Sequence, residues 1–188
     1  MRLGFYFDAN RCIGCKSCES ACSEWNGLSM GTRWRQVVST EHGTFPSPLR
    51  INFSMACNNC QEAPCVRACP TRALHVDSQA GLVALNKQKC IGCRYCEWAC
   101  PYGAIQYDAK SKTVSKCTLC ADRLASRLAP ACVTSCPTEC LQFGDIDTLH
   151  RKYGAAKADF PGLEDSRFAK PNLLCEPVAG LKPDDDKP

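Results

Sequence analysis

The sequence predicts an α+β chain of two small modules related by an internal repeat, joined by connector loops and followed by an extended C-terminal arm. Three observations predict it: cysteines gathered in four spaced runs, too little apolar content for an ordinary core, and a segment pattern that recurs after three of the runs. The 188 residues are enough for one domain or two small ones. Apolar residues make up 45% of the chain, but that figure counts 18 cysteines. Without them roughly 36% remains, below the usual share for a globular core. Whatever the cysteines hold must serve as core, and the chain without it should fold poorly.

The third run is the most regular. Cys90, Cys93, Cys96 and Cys100, followed by Pro101, read C-x2-C-x2-C-x3-C-P, the spacing by which bacterial ferredoxins hold [4Fe-4S] clusters. Three thiolates two residues apart can wrap one cubane, while the last leaves on a helical turn and reaches a neighbouring cluster. Gly92 is expected to let the backbone approach the cluster, and Pro101 turns the chain without an N–H that needs a partner. Cys12, Cys15, Cys18 and Cys22 repeat the spacing, with Ser23 in place of the proline. Cys57, Cys60, Cys65 and Cys69-Pro70 widen the middle gap to four residues, and Cys117, Cys120, Cys132 and Cys136-Pro137 widen it to eleven. Four groups of four use 16 of the 18 cysteines, a ligand set for four cubanes. Disulfides are disfavoured, because thiols so closely spaced bridge each other badly yet can all face one metal site.

Residues 5–7 read as a short strand feeding the first run. Residues 23–56, with Trp25, Trp34, Val37, Val38 and Phe53, read as a connector without metal ligands, and Pro46-Ser47-Pro48 breaks any helix there. After Cys69, Cys100 and Cys136 the chain runs through one frame: C-P, a turn, a small residue (Ala73, Ala104, Cys140), then alternating apolar positions. This is an internal repeat, each unit ending in a strand. Residues 74–76 and 82–85 flank a turn at 77–81, and 105–107 and 113–115 flank a second. Clusters above small two-stranded sheets are the bacterial-ferredoxin arrangement, and two such modules account for four runs. Asp147 is expected to cap a short helix that Gly154 ends. From about Pro161 the chain is Pro-rich and reads as an arm lying on a partner, with its last residues disordered.

Cys140 is expected to pack beside a cluster without ligating it, and Cys175 to be a free thiol. His42, His75 and His150 show no metal spacing. Trp98 either screens a cluster from water or simply packs. Glu19, Glu97, Asp122 and Glu139 offer no acid–base pair, and there is no Ser-His-Asp set, P-loop or G-x-G-x-x-G. The formal charge of +4 invites a nucleic-acid partner, but it counts cysteines as neutral. Four clusters with their thiolates add roughly −8, and no nucleic-acid role is expected. Lys16, Arg67, Arg94, Lys116 and Arg123 then read either as partial compensation or, each taken singly, as part of a solvated basic face. No apolar run is long enough to span a membrane. The first residues lead straight into the first run without signal-peptide form, so export would depend on a partner.

With the runs in order, the chain resembles the four-cluster iron–sulfur subunits of the dimethyl sulfoxide reductase family of molybdenum/tungsten bis-pterin oxidoreductases. The stretches that carry the likeness are 8–15 (DANRCIGC), 90–96 (CIGCRYC), 116–123 (KCTLCADR), 132–137 (CVTSCP) and 168–172 (FAKPN). The spacing alone leaves the pairing of runs open. The resemblance implies that runs one and four form one module (residues 1–22 plus 101–146) and runs two and three the other (57–100), with 23–56 a connector and 147–188 the helix and arm. By position, one cluster takes Cys12, Cys15, Cys18 and Cys136, and its neighbour takes Cys117, Cys120, Cys132 and Cys22. A third takes Cys90, Cys93, Cys96 and Cys69, and the fourth takes Cys57, Cys60, Cys65 and Cys100. The implied function is one-electron transfer along four [4Fe-4S] clusters, between a quinol- or quinone-reactive integral membrane subunit and a molybdenum/tungsten pterin catalytic subunit. The chain would be membrane-associated only through partners, on the outer face if co-exported and otherwise on the cytoplasmic face. The alternatives are a polyferredoxin-like subunit of a hydrogenase or formate dehydrogenase complex and, from another class, a zinc-stabilised interaction module.

Overall fold

The computed structural model describes residues 2–77, 81–154, 156–160 and 162–181. The elements in chain order are β1 (Leu3–Phe7), α1 (Ser17–Trp25), β2 (Arg35–His42), β3 (Leu49–Ala56), α2 (Pro64–Arg67), β4 (Leu74–Val76), β5 (Val83–Leu85), a 3-10 turn (Lys87–Lys89), α3 (Tyr95–Trp98), β6 (Ile105–Asp108), β7 (Thr113–Lys116), α4 (Ala121–Ala125), α5 (Ala131–Thr134), β8 (Leu141–Asp145), α6 (Ile146–Lys152), α7 (Ser166–Ala169) and β9 (Leu173–Cys175). Short helices beside small sheets make this a mixed α and β chain. Each of the three C-P turns leads into a strand: β4, β6 and β8.

Strand β1 is the middle of a three-stranded sheet, antiparallel to β8 and parallel to β9. It is buried on both faces. Phe5 and Phe7 point into the main apolar cluster, where the Phe7 ring meets Phe53 edge-on at 5.1 Å. Tyr6, on the other face, stacks on Tyr153 at 3.6 Å beneath α6. Burying each such aromatic stabilises the fold by about 1.5–3 kcal/mol. The cap of α6 is Asp145, one residue before the helix, whose carboxylate accepts the Thr148 N–H at 3.1 Å. The expected cap, Asp147, lies inside the first turn and pairs with Arg2 instead. The helix ends at Lys152 with Tyr153 as its C-cap rather than at Gly154.

The connector is more than a link. Residues 35–56 form a hairpin of two eight-residue strands, paired from Arg35↔Ala56 to His42↔Leu49. Its buried residues include Asn52 and Ser54 as well as Val37, Ile51 and Phe53, so the apolar alternation that marks a strand is interrupted. Hairpins β4–β5 and β6–β7 form as expected, although residues 78–80 of the first turn lie outside the described residues. Ile105 and Val114 of the second hairpin pack with Leu74 and Val83, so that hairpin joins the neighbourhood of runs two and three.

The arm also differs from expectation. Pro161 and residues 182–188 lie outside the described residues, but the stretch between them packs on the chain itself. Strand β9 joins β1, and Ala169 and Asn172 are buried. The carbonyls of Ala169 and Lys170 accept the N–H groups of Glu62 and Gln61, and Asn172 Nδ2 donates to the Asn59 carbonyl at 2.6 Å. The FAKPN phrase thus braces the loop of run two. Cys175 is a free thiol, buried in the sheet.

Candidate iron–sulfur centres

Each run ends in x3, which places its last two cysteines four residues apart on one turn of helix. Side chains at that spacing share a helix face, displaced by about 6 Å along the axis. In this way Cys18 and Cys22 sit on α1, Cys65 and Cys69 on or just after α2, Cys96 and Cys100 on or just after α3, and Cys132 and Cys136 on or just after α5. Helix α1 packs on α5, and α2 packs on α3.

The loops ahead of these helices have a special backbone. Gly14 and Lys16 in run one, and Gly92 and Arg94 in run three, are all left-handed, with φ from 61° to 69°. Asn59 in run two and Leu119 and Cys120 in run four are left-handed as well. Alternating hands turn successive N–H groups toward one concave side, which is how a backbone makes a nest for anions. A side chain at Gly92 would collide with the Lys112 carbonyl, and one at Gly14 would meet Asn52 Oδ1 at 2.7 Å. At Gly92 the missing side chain makes room for the β6–β7 turn.

None of the 18 cysteines is in a disulfide. Cys12 lies in the field of Cys18 and Cys136, and Cys18 in that of Cys132 and Cys136. Cys22 is influenced by Cys132 and Cys120. Cys60 and Cys65 both sense Cys57 and Cys100. Cys69, Cys90, Cys93 and Cys96 line one cavity with Leu74 and Val114. Cys15 is exposed, 3.4 Å from Ser17 Oγ. Adjacent groups also touch electrostatically, through Cys18 and Cys132, Cys117 and Cys57, and Cys65 and Cys96.

Burial, followed by neighbouring thiols, pushes Cys22, Cys60 and Cys65 up to about 12 and Cys96 up to about 11. Burial also takes Cys117 to about 12, against the Leu119 N–H that donates to its sulfur at 3.4 Å. Such thiols keep their protons at neutral pH until a cation replaces them. Elsewhere the backbone favours the thiolate. Burial works against Cys69, yet the N–H groups of Leu74, Ala73 and Thr71 and the Thr71 hydroxyl outweigh it and bring its pKa below the ordinary value. Cys12 is lowered by a hydrogen bond from Cys140, which outweighs burial, and by the Gly14 N–H. Grouped, unbridged thiols under inward-facing N–H groups fit an anionic cluster held by thiolates.

Cys140 is buried with its sulfur 3.4 Å from Cys136 Sγ, packed beside the thiols. Glu19, without a catalytic partner, accepts the Val37 N–H and ties α1 to the hairpin. Asp122 accepts the Trp25 indole N–H at 2.8 Å, and Arg94 pairs with Glu97 at 2.7 Å. Lys116 is buried, its ammonium 2.9 Å from the Cys117 carbonyl, while Lys16 and Arg67 are exposed. His75 Nδ1 lies 3.3 Å from the Ala73 carbonyl and His42 Nε2 3.0 Å from Thr40 Oγ1. His150 is exposed at the end of α6. Trp98 is 70% exposed, its ring tilted against Tyr95 with centroids 5.9 Å apart. Sequence reasoning missed Arg35, which is buried among the thiols of runs one and four. Its only signal was an arginine at the start of an interrupted apolar alternation.

Among the described residues no helix is long and apolar enough to cross a membrane. Two family models, each described as a 4Fe-4S dicluster domain, match residues 50–146 and 11–73. One polypeptide of the anaerobic dimethyl sulfoxide reductase of Escherichia coli K12 is 38% identical over 98% of this chain and 93% of its own length. One subunit of the sulfite dehydrogenase of Allochromatium vinosum is 40% identical over 77% of this chain and 69% of its own. The arsenate respiratory reductase iron–sulfur subunit of a Shewanella species is 33% identical over 81% and 85%.

Proposed function

The chain belongs to the family of 4Fe-4S dicluster iron–sulfur subunits, and we propose on that premise that it passes single electrons along four [4Fe-4S] clusters. It is an electron-transfer subunit, not an enzyme on its own. One observation carries the proposal: thiols far apart in sequence lie in each other's fields, run one beside run four and run two beside run three. In this reading Cys12, Cys15, Cys18 and Cys136 hold the first cluster, and Cys22, Cys117, Cys120 and Cys132 the second. Cys57, Cys60, Cys65 and Cys100 hold the third, and Cys69, Cys90, Cys93 and Cys96 the fourth. The contacts between adjacent groups support this linear order, in which each electron has a short step to the next cluster. The clusters supply the redox chemistry; the residues hold them, exclude water and aim N–H groups at sulfur, which tunes each potential.

The ends of the line would meet partners. Ile13 is exposed beside the first group, and Ile91, Tyr95 and Trp98 are exposed beside the last. Apolar side chains at those points suit subunit contacts. The names of the relatives, a chain or subunit of a reductase or dehydrogenase in each case, support a multi-subunit complex. The partners proposed in it are a molybdenum/tungsten pterin catalytic subunit and a quinol- or quinone-reactive membrane subunit, which would bring this chain to the membrane. A zinc module gathers four donors round one ion. The two consecutive x2 spacings of runs one and three favour clusters over zinc, whose structural sites use separated C-x2-C pairs.

The anaerobically purified chain is expected to be brown, with visible absorption that dithionite bleaches and a mild oxidant restores. A colourless chain carrying zinc, or a colour that dithionite leaves unchanged, would overturn the proposal.

A further inference from the structure

Arg35 opens strand β2 and is only 3% exposed. Nη1 donates to the Ser54 carbonyl at 3.1 Å and to Ser54 Oγ at 3.0 Å, and the guanidinium carbon lies 4.6 Å from the centre of the Phe5 ring. Nη2 is buried without a hydrogen-bond partner. The ion pairs among the described residues are Arg2–Asp147, Arg94–Glu97, Arg167–Asp165 and Lys170–Glu62, so Arg35 has no carboxylate within bonding reach. Its neighbours are instead the sulfurs of Cys132, Cys117, Cys18 and Cys22, which carry negative charge once they are thiolates holding a cluster. A buried charge without a countercharge is strongly unfavourable, so the folded chain must present Arg35 with negative charge from that side.

The same guanidinium acts through a relay. Because Nη1 donates to Ser54 Oγ, the serine hydroxyl hydrogen is free to point to Cys18 Sγ, 3.4 Å away. Arg35 and Ser54 therefore address Cys18, a ligand of the first proposed cluster. The charge itself also faces Cys22, Cys117 and Cys132, ligands of the second.

We infer that Arg35 is the buried countercharge that raises the reduction potentials of the two clusters held by runs one and four. Reduction adds one electron to a cluster that is already anionic with its thiolates, and a nearby cation stabilises the reduced state more than the oxidised one. The inference rests on the ligand assignment proposed above and goes beyond it, by naming which two of the four clusters are easier to reduce and why.

The test is a redox titration followed by EPR on the anaerobically purified chain, with iron measured on the same samples. Arg35→Gln should make two of the four clusters at least tenfold harder to reduce, a drop of about 59 mV for a one-electron couple. The other two should stay unchanged. Arg35→Lys keeps the charge and should hold both potentials nearer the wild-type values. Ser54→Ala should lower only the cluster that takes Cys18. If the wild-type chain lacks four clusters, the assignment beneath the inference fails. If Arg35→Gln keeps its iron and shows four unchanged potentials, or four equally shifted ones, the inference alone is overturned. Should Arg35→Gln lose its iron, Ser54→Ala decides, and a Cys18 cluster that titrates as in wild type overturns the inference.

Discussion

Iron-free chain is expected to lose most of its tertiary structure. Helices α2, α3 and α5 have four residues each, far below the roughly 12–15 that an isolated helix needs in water. Strands β4 and β5 have three residues each, and a lone hairpin is marginal even when longer. The apolar cluster around runs two and three is small and includes cysteines: Cys65 and Cys96 sit among Leu74, Val83, Ile105 and Val114. A structural metal site contributes on the order of 10 kcal/mol to folding, comparable with the whole stability of an ordinary domain. With four such sites proposed, their loss outweighs everything else that holds these elements together. Circular dichroism and amide exchange, before and after chelation under oxidising conditions, measure the effect. The cooperative thermal transition should vanish and most protection should be lost. An iron-free chain that melts cooperatively near the temperature of the loaded one would show that the clusters are not its core.

Cys22→Ser and Cys120→Ser are expected to damage one and the same cluster, although 120 − 22 = 98 positions separate them. Helix α1 sends Cys18 and Cys22 along one face, displaced by a turn, and Cys22 comes into the field of Cys132 and Cys120. A serine there replaces a thiolate with a harder, weaker ligand for iron, so each variant should lose or strongly shift a single EPR signal, and both should affect the same one. Cys12→Ser should act on a different signal. If Cys22→Ser instead alters the signal that Cys12→Ser alters, run one serves a single cluster and the crossed assignment is wrong.

What the sequence made legible follows from the chemistry of each signal. Thiols at fixed spacing read directly, since few structures other than a metal site need them, and the strands after each C-P turn followed from a repeated frame. The β2–β3 hairpin did not read as strands because Asn52, Ser54 and Arg35 are buried there, which breaks the alternation. Those polar residues are buried because they serve run one: Asn52 Nδ2 donates to the Cys12 carbonyl at 2.9 Å, and Arg35 and Ser54 face Cys18. Strand β9 was hidden for another reason. Three residues pairing in parallel with a strand more than 160 positions earlier leave no local pattern. A separation of 113 positions likewise hid the brace that Asn172 forms on Asn59, although the phrase containing it was already part of the family likeness. Arg35 was one arginine among many basic residues until its burial set it apart from exposed Lys16 and Arg67.

The most direct measurement of the central claim is the iron and acid-labile sulfide content of anaerobically purified chain, referred to protein by amino-acid analysis. Four cubanes held by sixteen of the eighteen cysteines predict about sixteen irons and about sixteen sulfides per chain. A reproducible value near half of that, or zinc in place of iron, would contradict the four-cluster account.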